Sequence, residues 1–240
     1  MRLGIMQPYF FPYPGHFGLI ASVDEWVVFD VTQYTPKTWM NRNRVLHPKE
    51  GTSWVSLPLL GASMAIATHE ARLVDPAAAA RSVLGKLSHY RPHVRRHRYD
   101  AACGLVEAAF MGEGDSLVEV NARGLSACCA VLGIPFRYRI CSALGIDLPS
   151  APGAGGWAPA ICAALGAGAY VNPAGGRSLF DPAAFRRVGV ELFFAETAPL
   201  AYDTGPYAPQ PGLSILDALM WNDAARVADA IRAGTVLTRG

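Results

Sequence analysis

Residues 5–30, IMQPYFFPYPGHFGLIASVDEWVVFD, place two apolar runs on either side of a loop rich in proline, glycine and aromatic residues. We predict a strand over Leu3–Met6, a loop over Gln7–Gly15, a short helix over His16–Val23 and a second strand over Trp26–Phe29. This order is typical of a βαβ unit, whose strands pair in parallel. The loop then follows the carboxyl end of the first strand, where open parallel sheets bind ligands. The segment therefore predicts an α/β fold with a site at this loop.

Strands and helices also alternate near the other end of the 240-residue chain. A helix over Trp157–Leu165, a strand near Tyr170-Val171 and the strand VELFF (190–194) favour a mainly parallel sheet. Helical spacing dominates the middle of the chain. We predict one α/β domain over residues 1–240, with a Rossmann-type first unit and a helical insert or subdomain at roughly 76–132.

Several connecting segments lack a strong period. We interpret Thr32–Pro48, which is polar and aromatic, as a long functional loop. Trp54–Leu57 is a candidate short strand, and SAPGAGG (150–156) has the composition of a loop. The last predicted element is a helix that ends near Ala230.

The composition excludes several classes of protein. With 21 basic and 19 acidic residues the formal net charge is +2, so no overall field points to nucleic acid or an anionic membrane. Five cysteines without a C-x-x-C pair argue against a disulfide framework and a thiolate zinc site, and we expect no metal site. No apolar run approaches the ~20 residues of a membrane span, and a signal-peptide pattern is absent from the N-terminus. We expect a soluble, cytoplasmic protein.

The opening loop carries candidates for binding an anion. A helix N-terminus offers unpaired N–H groups, and Gly15 and Gly18 would let a ligand approach the backbone, with His16 beside it. The run Tyr13-Pro-Gly15-His16 resembles the H-x-G-H loop of nucleotidylyltransferases, with tyrosine in place of the first histidine. Tyrosine is neutral near pH 7, so it lacks the charge of a protonated histidine. The alternative is a rigid aromatic turn in which His16 is a satisfied polar residue.

A second candidate is the run Asn41-Arg42-Asn43-Arg44, which places two guanidinium groups and two amides within four residues. Such donors suit phosphates, carboxylates or sugar hydroxyls. If the segment is extended, the two asparagines share one face and the two arginines the other. The alternative is a solvated basic loop that pairs with nearby aspartates.

A third candidate is NPAGGRS, residues 172–178, which follows a predicted strand. Consecutive glycines, Gly175 and Gly176, permit an anion-binding nest, and Arg177 supplies charge. The same letters also mark ordinary turns. Its position gives it weight, because loops that follow parallel strands converge at one edge of the sheet.

Four segments together resemble the WbqC-like protein family: MQPYFFPYPGHFGLI (6–20), WMNRNRVL (39–46), YVNPAGGRSLFD (170–181) and LSILDALMWN (213–222). The resemblance runs from residue 2 to about 225. It implies a role in the biosynthesis of O-antigen or other surface glycans, with transfer of glycine or another small acyl group to an amino sugar. The corresponding family positions are Gln7, Pro8, Tyr9, Phe11, Pro12, Tyr13, Gly15, His16, Gln33, Trp39, Asn41, Arg42, Asn43, Arg44, Asn172, Gly175, Gly176, Leu213, Ser214 and Asp217.

We expect His16, Arg44 and Asn41 to be the catalytic residues. His16 and Arg44 would stabilise phosphate charge, Asn41 with Asn43 would orient hydroxyls or the amino acid, and the glycine turn would close over phosphate. The residues predicted to bind substrate or phosphate are Gln7, Tyr9, Tyr13, Gly15, Gly18, Asp30, Gln33, Trp39, Arg42, Asn43, Asn172, Gly175, Gly176, Arg177, Ser214 and Asp217.

The function expected from this resemblance is amide-forming acyl or aminoacyl (glycyl-type) transfer to an amino sugar or similar amine, in glycan or specialised-metabolite biosynthesis. Three donors stay open. The first is ATP with magnesium, which would act through an acyl-adenylate. The others are an acyl thioester, with or without a carrier protein, and an aminoacyl-tRNA. The oligomeric state is open as well. The alternatives are a nucleotidyltransferase acting on a small phosphorylated substrate and a non-catalytic partner protein in a biosynthetic complex.

Overall fold

The computed structural model describes residues 1–150, 153 and 155–240. Residues 151, 152 and 154, which belong to the loop predicted over 150–156, lie outside the described residues. In the described part, none of the helices is both long and apolar enough to cross a membrane. The strands are β1 (Arg2–Met6), β2 (Glu25–Val28), β3 (Arg42–Leu46), β4 (Thr52–Ser56), β5 (Tyr138–Ile140), β6 (Ala169–Pro173), β7 (Glu191–Thr197) and β8 (Thr235–Arg239). The α-helices are α1 (Pro14–Ala21), α2 (Pro76–Leu87), α3 (Arg96–Phe110), α4 (Leu117–Val131), α5 (Trp157–Ala164), α6 (Pro182–Arg187), α7 (Ile215–Trp221) and α8 (Ala224–Gly234).

Six strands form one sheet in the order β5-β2-β1-β6-β7-β8. Five of them run parallel, and β8 pairs antiparallel with β7. The prediction of an α/β fold with a mainly parallel sheet is confirmed. From β1 the chain first builds the half that ends at β5 and then returns to build the other half from β6. The nucleotidylyltransferase-like character of the first unit stays a prediction, with which this strand order is compatible.

Helices cover both faces of the sheet, as expected for parallel strands. On one face Leu3 and Ile5 of β1 belong to a core that includes residues of α5 and α6. On the other face Trp26 and Val28 of β2 belong to a larger core that includes α1, α4 and α8. Position 4 has no room for a side chain, because a Cβ added to Gly4 would lie 2.7 Å from the Trp26 ring. The strand therefore packs tightly behind the site loop.

The segment predicted as one long loop, Thr32–Pro48, contains a strand, and this is a correction. β3 pairs antiparallel with β4, with Arg44 opposite Trp54. Side chains alternate along β3, so that Asn43 is buried while Arg42 and Arg44 are half-buried on the outer face. The two arginines thus share the outer face, as their spacing predicts, while Asn41 lies before the strand.

The middle of the chain is helical, as predicted. Helix α2 begins after Asp75, whose side chain accepts the Ala78 N–H at 2.9 Å. Helix α4 begins after Ser116, whose hydroxyl accepts the Glu119 N–H at 3.4 Å. The division of the chain into one domain with a helical subdomain stays a prediction.

Two other boundaries differ from the predictions. Helix α1 begins at Pro14, two residues before the predicted start, so His16 lies within its first turn. The last helix continues to Gly234 and leads into β8, which the sequence analysis missed. β8 pairs with β7 and is the edge strand on that side of the sheet.

Candidate functional site

A cavity of about 530 Å³ lies at the ends of β1 and β6, the two adjacent strands from which the halves of the sheet are built in opposite directions. Met6 ends β1 and Pro173 ends β6, and both are in its wall. Open parallel sheets bind ligands at this position, beyond the carboxyl ends of neighbouring strands whose connections leave in opposite directions. The volume is typical of a small-molecule site. The described lining consists of Met6, Tyr9, Pro12, Tyr13, Trp39, Asn43, Arg44, Asn172, Pro173, Gly175, Gly176, Leu179 and Gly212.

Buried polar side chains fix the backbone of the opening loop. Asn43 Nδ2 donates to the carbonyl oxygens of Phe10 and Phe11, at 3.0 and 2.8 Å. Ser214 Oγ donates to the Phe11 oxygen at 2.7 Å, and Asn121 of α4 donates to another loop carbonyl at 2.7 Å. Phe11 has a φ of +40°, a strained value for a side chain of its size. The loop is therefore held in one conformation by three other segments of the chain.

His16 is buried beside the cavity rather than in its lining. It is 2% exposed, and its ring centroid lies 5.2 Å from Trp26 and 5.5 Å from Tyr9. Burial lowers its pKa from 6.5 to about 3, so the imidazole is neutral at pH 7. Its Nε2 is buried without a partner in the described residues. A neutral imidazole can donate one hydrogen bond but brings no positive charge.

The two glycines of α1 have packing roles. A Cβ on Gly15 would lie 2.5 Å from the Tyr13 ring. A Cβ on Gly18 would lie 2.2 and 2.4 Å from the hydroxyl oxygens of Thr197 and Thr235. Gly18 therefore lets α1 approach β7 and β8 closely, and protein atoms fill the space expected for a ligand. Gly15 lines a smaller cavity of about 180 Å³, together with Tyr13 and His16.

Arg44 supplies the charge of the larger cavity, since no other residue of its described lining is ionised near pH 7. Its guanidinium carbon lies 5.7 Å from the Trp39 ring centroid, and Nη2 donates to the Pro211 oxygen at 3.3 Å. Burial, and secondarily Tyr13, raise the pKa of Tyr9, so its hydroxyl stays protonated. The cavity thus combines an apolar wall, hydroxyl donors and one cation.

The glycine turn forms another part of the cavity wall. Asn172 accepts a hydrogen bond from the Tyr170 hydroxyl at 2.9 Å and donates to the Pro173 oxygen at 3.0 Å. A Cβ on Gly176 would lie 2.3 Å from Asn172 Nδ2, so the turn packs on this amide. Arg177 points elsewhere, because it donates to Thr238 Oγ1 at 2.7 Å and lies over the Phe194 ring.

Several predicted site residues lie outside this lining. Asn41 donates to the Leu57 oxygen at 3.4 Å, and Gln33 donates to the Met64 oxygen. Asp30 is buried and accepts hydrogen bonds from the backbone N–H and the hydroxyl of Ser142, at 2.9 and 2.6 Å. The residues of the prediction that do not line the larger cavity are Gln7, Gly15, His16, Gly18, Asp30, Gln33, Asn41, Arg42, Arg177, Ser214 and Asp217.

Asp217 lies in the core of the protein. Its side chain is fully buried and accepts hydrogen bonds from the hydroxyls of Tyr90, at 2.6 Å, and Tyr202, at 2.8 Å. Tyr90 in turn accepts the Leu46 N–H at 2.8 Å. Asp217 therefore links α7 to the end of β3, the strand that carries Arg44.

A second cavity of about 200 Å³ adjoins the first. It contains Gln7, whose amide donates to the Thr32 hydroxyl at 3.4 Å. Met6, Tyr9 and Asn172 line both cavities and so form the boundary between them. The described lining of the second cavity is Ile5, Met6, Gln7, Tyr9, Phe29, Gly155, Trp157, Ala158, Tyr170, Asn172 and Phe180.

Sequence reasoning missed several lining residues. Leu179 and Phe180 follow the glycine turn, and Phe29 ends the second predicted strand, so their positions were signals of a site. Gly212 has a φ of +65° and follows Pro211, directly before the LSILDALMWN segment. Nothing local indicates that this turn meets Arg44, which is 168 residues away in sequence.

The comparisons with known proteins cover nearly the whole chain. The profile of the WbqC-like protein family matches residues 7–229, a range that includes every described residue of the larger cavity except Met6. The "Uncharacterized protein Rv1507c" of Mycobacterium tuberculosis (strain ATCC 25618 / H37Rv) is 28% identical over 239 residues, which cover 96% of this chain and 97% of that protein. No solved structure matches this chain.

Proposed function

The chain belongs to the WbqC-like protein family, and from that premise and its paired cavities we propose that it is an amide-forming acyl or aminoacyl transferase. The observation that carries the proposal is the boundary of Met6, Tyr9 and Asn172 between the two cavities. A transfer reaction must hold a donor and an acceptor next to each other. The larger cavity suits the activated donor, and the smaller one suits an uncharged amine group.

In the proposed step, the amine nitrogen attacks the acyl carbonyl carbon and a C–N bond forms. The bond between that carbon and the leaving oxygen or sulfur breaks, and the leaving group takes the electron pair. The proton that the amine loses ends on the leaving group or in solvent. Holding the two groups together across the boundary supplies most of the rate, because positioning replaces a bimolecular encounter.

Arg44 is proposed to bind the anionic part of the donor and to stabilise charge on the leaving group. Tyr9, a residue that lines both cavities, is proposed to donate a hydrogen bond from its hydroxyl to the acyl oxygen. His16 is neutral, so its contribution is limited to a hydrogen bond and to the shape of the wall.

The lining also bears on the kind of donor. Magnesium prefers oxygen ligands, above all carboxylates. The described lining of the larger cavity contains no aspartate or glutamate. Glu196 lines the cavity of about 180 Å³ instead. We therefore favour a donor that arrives already activated, such as an acyl thioester or an aminoacyl-tRNA, because it requires no magnesium-bound ATP in this cavity.

Nucleotidyl transfer is the second candidate. The observation that favours it is the N-terminus of α1, whose Gly15 and His16 line the cavity of about 180 Å³ with Tyr13. Helix N-termini bind phosphate through unpaired N–H groups, but in α1 Pro14 has no N–H and the His16 N–H donates to the Tyr13 oxygen at 3.0 Å, which weakens this candidate. The acceptor in this case is a small phosphorylated substrate, and pyrophosphate is released from a nucleoside triphosphate.

The test supplies glycine in three forms: as free glycine with ATP and magnesium, as a thioester, and as glycyl-tRNA. Each is combined with amino-sugar acceptors, and mass spectrometry detects the gain of one glycyl group. We expect product from an activated donor, and Arg44→Gln should reduce the rate by about a hundredfold or more. Arg81→Gln, an exposed arginine on α2, is the matched control and should keep the wild-type rate.

The alternatives give different results. Pyrophosphate release that requires a sugar phosphate but no amine would support nucleotidyl transfer. Amide formation at the wild-type rate by Arg44→Gln would remove Arg44 from the mechanism. If no donor yields product and none raises the melting temperature of the protein, the catalytic proposal fails in favour of a non-catalytic partner role.

A further inference from the structure

The outer face of the β3–β4 hairpin carries an aromatic–arginine patch, formed by Trp39, Arg42, Arg44 and Trp54. Arg42 and Arg44 alternate along β3 and therefore share this face, and Trp54 lies opposite Arg44 on β4. Trp39 is 40% exposed and Trp54 is 37% exposed. Their ring centroids are 5.7 Å apart, with 38° between the ring planes. The patch thus presents two adjacent indole surfaces to solvent.

The arginines of the patch lie against the aromatic rings, and Arg44 Nη2 also donates to the carbonyl oxygens of Pro211 and Gly212, at 3.3 and 3.5 Å. The Arg42 guanidinium lies 4.0 Å over the Trp54 ring, and that of Arg44 lies 6.0 Å from it. Neither arginine forms an ion pair with a carboxylate in the described residues. The Nε atoms of both are buried without a hydrogen-bond partner there. A guanidinium held in place by stacking, whose charge no carboxylate of the described residues neutralises, is preorganised for an anion.

The patch continues into the site already described. Trp39 and Arg44 line the cavity of about 530 Å³, whereas Arg42 and Trp54 lie beyond its described lining. A ligand bound on the patch can therefore extend into the cavity. Successive residues on one face of a strand are about 7 Å apart, which suits two oxygens of one phosphate group or of neighbouring phosphates.

We propose that this patch binds the nucleoside phosphate portion of the donor, with the base stacked on the indoles and the phosphate between Arg42 and Arg44. The inference rests on the proposed function insofar as it assigns this ligand to the donor. An inorganic phosphate makes no use of the two exposed indoles, and a neutral sugar makes no use of the positive charge of the two arginines. A nucleoside phosphate uses both, since bases stack on aromatic side chains and arginine binds phosphate oxygens.

The binding test uses adenosine 5′-monophosphate, with adenosine and ribose 5-phosphate as its two halves. Quenching of tryptophan fluorescence reports stacking, and calorimetry gives the dissociation constants. We expect the monophosphate to bind at least about tenfold more tightly than either half, and Arg42→Gln to weaken it by about tenfold. Trp54→Phe should reduce the quenching. Arg81→Gln, an exposed arginine that does not belong to the patch, should bind as the wild-type protein does.

Equal affinity for ribose 5-phosphate and the monophosphate would overturn the stacking part of the proposal, and an unchanged affinity in Arg42→Gln would overturn the phosphate part. Coenzyme A, a glycyl-tRNA and a uridine diphosphate sugar distinguish the source of the nucleotide, since tightest binding by one of them identifies it. Binding is measured without turnover. Amide transfer with no nucleotide bound to the patch therefore refutes this inference alone, whereas nucleotide binding without transfer refutes only the proposed function.

Discussion

Asp217→Asn tests whether one buried carboxylate makes the protein less stable as the pH rises from 4 to 7. Asp217 is fully buried and is held by the hydroxyls of Tyr90 and Tyr202. Burial raises its pKa from 3.8 to about 6, against the opposing effect of these hydrogen bonds. In the described residues it has no cationic partner. Ionisation of Asp217 therefore costs free energy in the folded protein, and the carboxyl keeps its proton up to about pH 6.

The magnitude follows from linkage between protonation and folding. The folded protein binds the proton of Asp217 more tightly than the unfolded chain, so the free energy of unfolding falls as the pH rises from about 3.8 through about 6. The rise in pKa corresponds to about 3 kcal/mol in total, of which about 2 kcal/mol is lost between pH 4 and pH 7. Above pH 7 the contribution of this group is constant.

Urea unfolding of the wild-type protein and of Asp217→Asn, at pH 4, 5.5 and 7, measures this loss. Asparagine does not titrate, so the difference in unfolding free energy between wild type and variant should move by about 2 kcal/mol in favour of the variant from pH 4 to pH 7. Asp229→Asn, an exposed aspartate on α8, is the control and should show a far smaller change. A difference that stays constant with pH would refute the reasoning, because Asp217 would then have the same pKa in both states.

Two further predictions concern the opening loop. Asn43→Ala removes the amide that binds the carbonyls of Phe10 and Phe11, and we expect a loss of about 3 kcal/mol in urea unfolding, since two buried carbonyl oxygens lose a donor. Asn41→Ala, which loses one long hydrogen bond, is the comparison and should cost less; equal costs would contradict the anchoring role of Asn43. His16 should remain neutral from pH 8 to pH 4 in an NMR titration of its ring, and a midpoint near 6.5 would show that the imidazole is solvated.

The sequence was sufficient to predict the parallel sheet and the edge at which the site lies. The opening βαβ pattern places its loop beyond the carboxyl end of β1, and the glycine turn follows β6, the neighbour of β1. Both segments line the same cavity, as loops that follow adjacent parallel strands should. This part of the prediction depends on periodicity and strand order, which are local or nearly local properties.

Strand β3 was missed for a physical reason. A half-buried strand is recognised by apolar residues at alternate positions, but of the two inward positions of this strand only Val45 is apolar, and the other is an amide, Asn43. The polar residue is tolerated there because its amide group is satisfied by two loop carbonyls, which no local pattern reveals. The role of Gly18 could not be predicted for the same reason. Glycine is required there because a side chain would collide with Thr197 and Thr235, which are distant in sequence.

The residue at which α1 begins decides which residue of the Tyr13-Pro-Gly15-His16 run lines the larger cavity. Because the helix begins at Pro14, His16 is the third residue of its first turn and packs against Trp26, where burial keeps it neutral. Tyr13, at the helix cap, is 44% exposed and lines the cavity. The position that lines the larger cavity is thus the one that corresponds to the first histidine of the H-x-G-H pattern, and this chain has a tyrosine there. The described lining of this cavity contains no histidine, so its positive charge comes from Arg44 on β3. That distribution supports a donor whose activated bond needs positioning more than it needs a charged helix terminus.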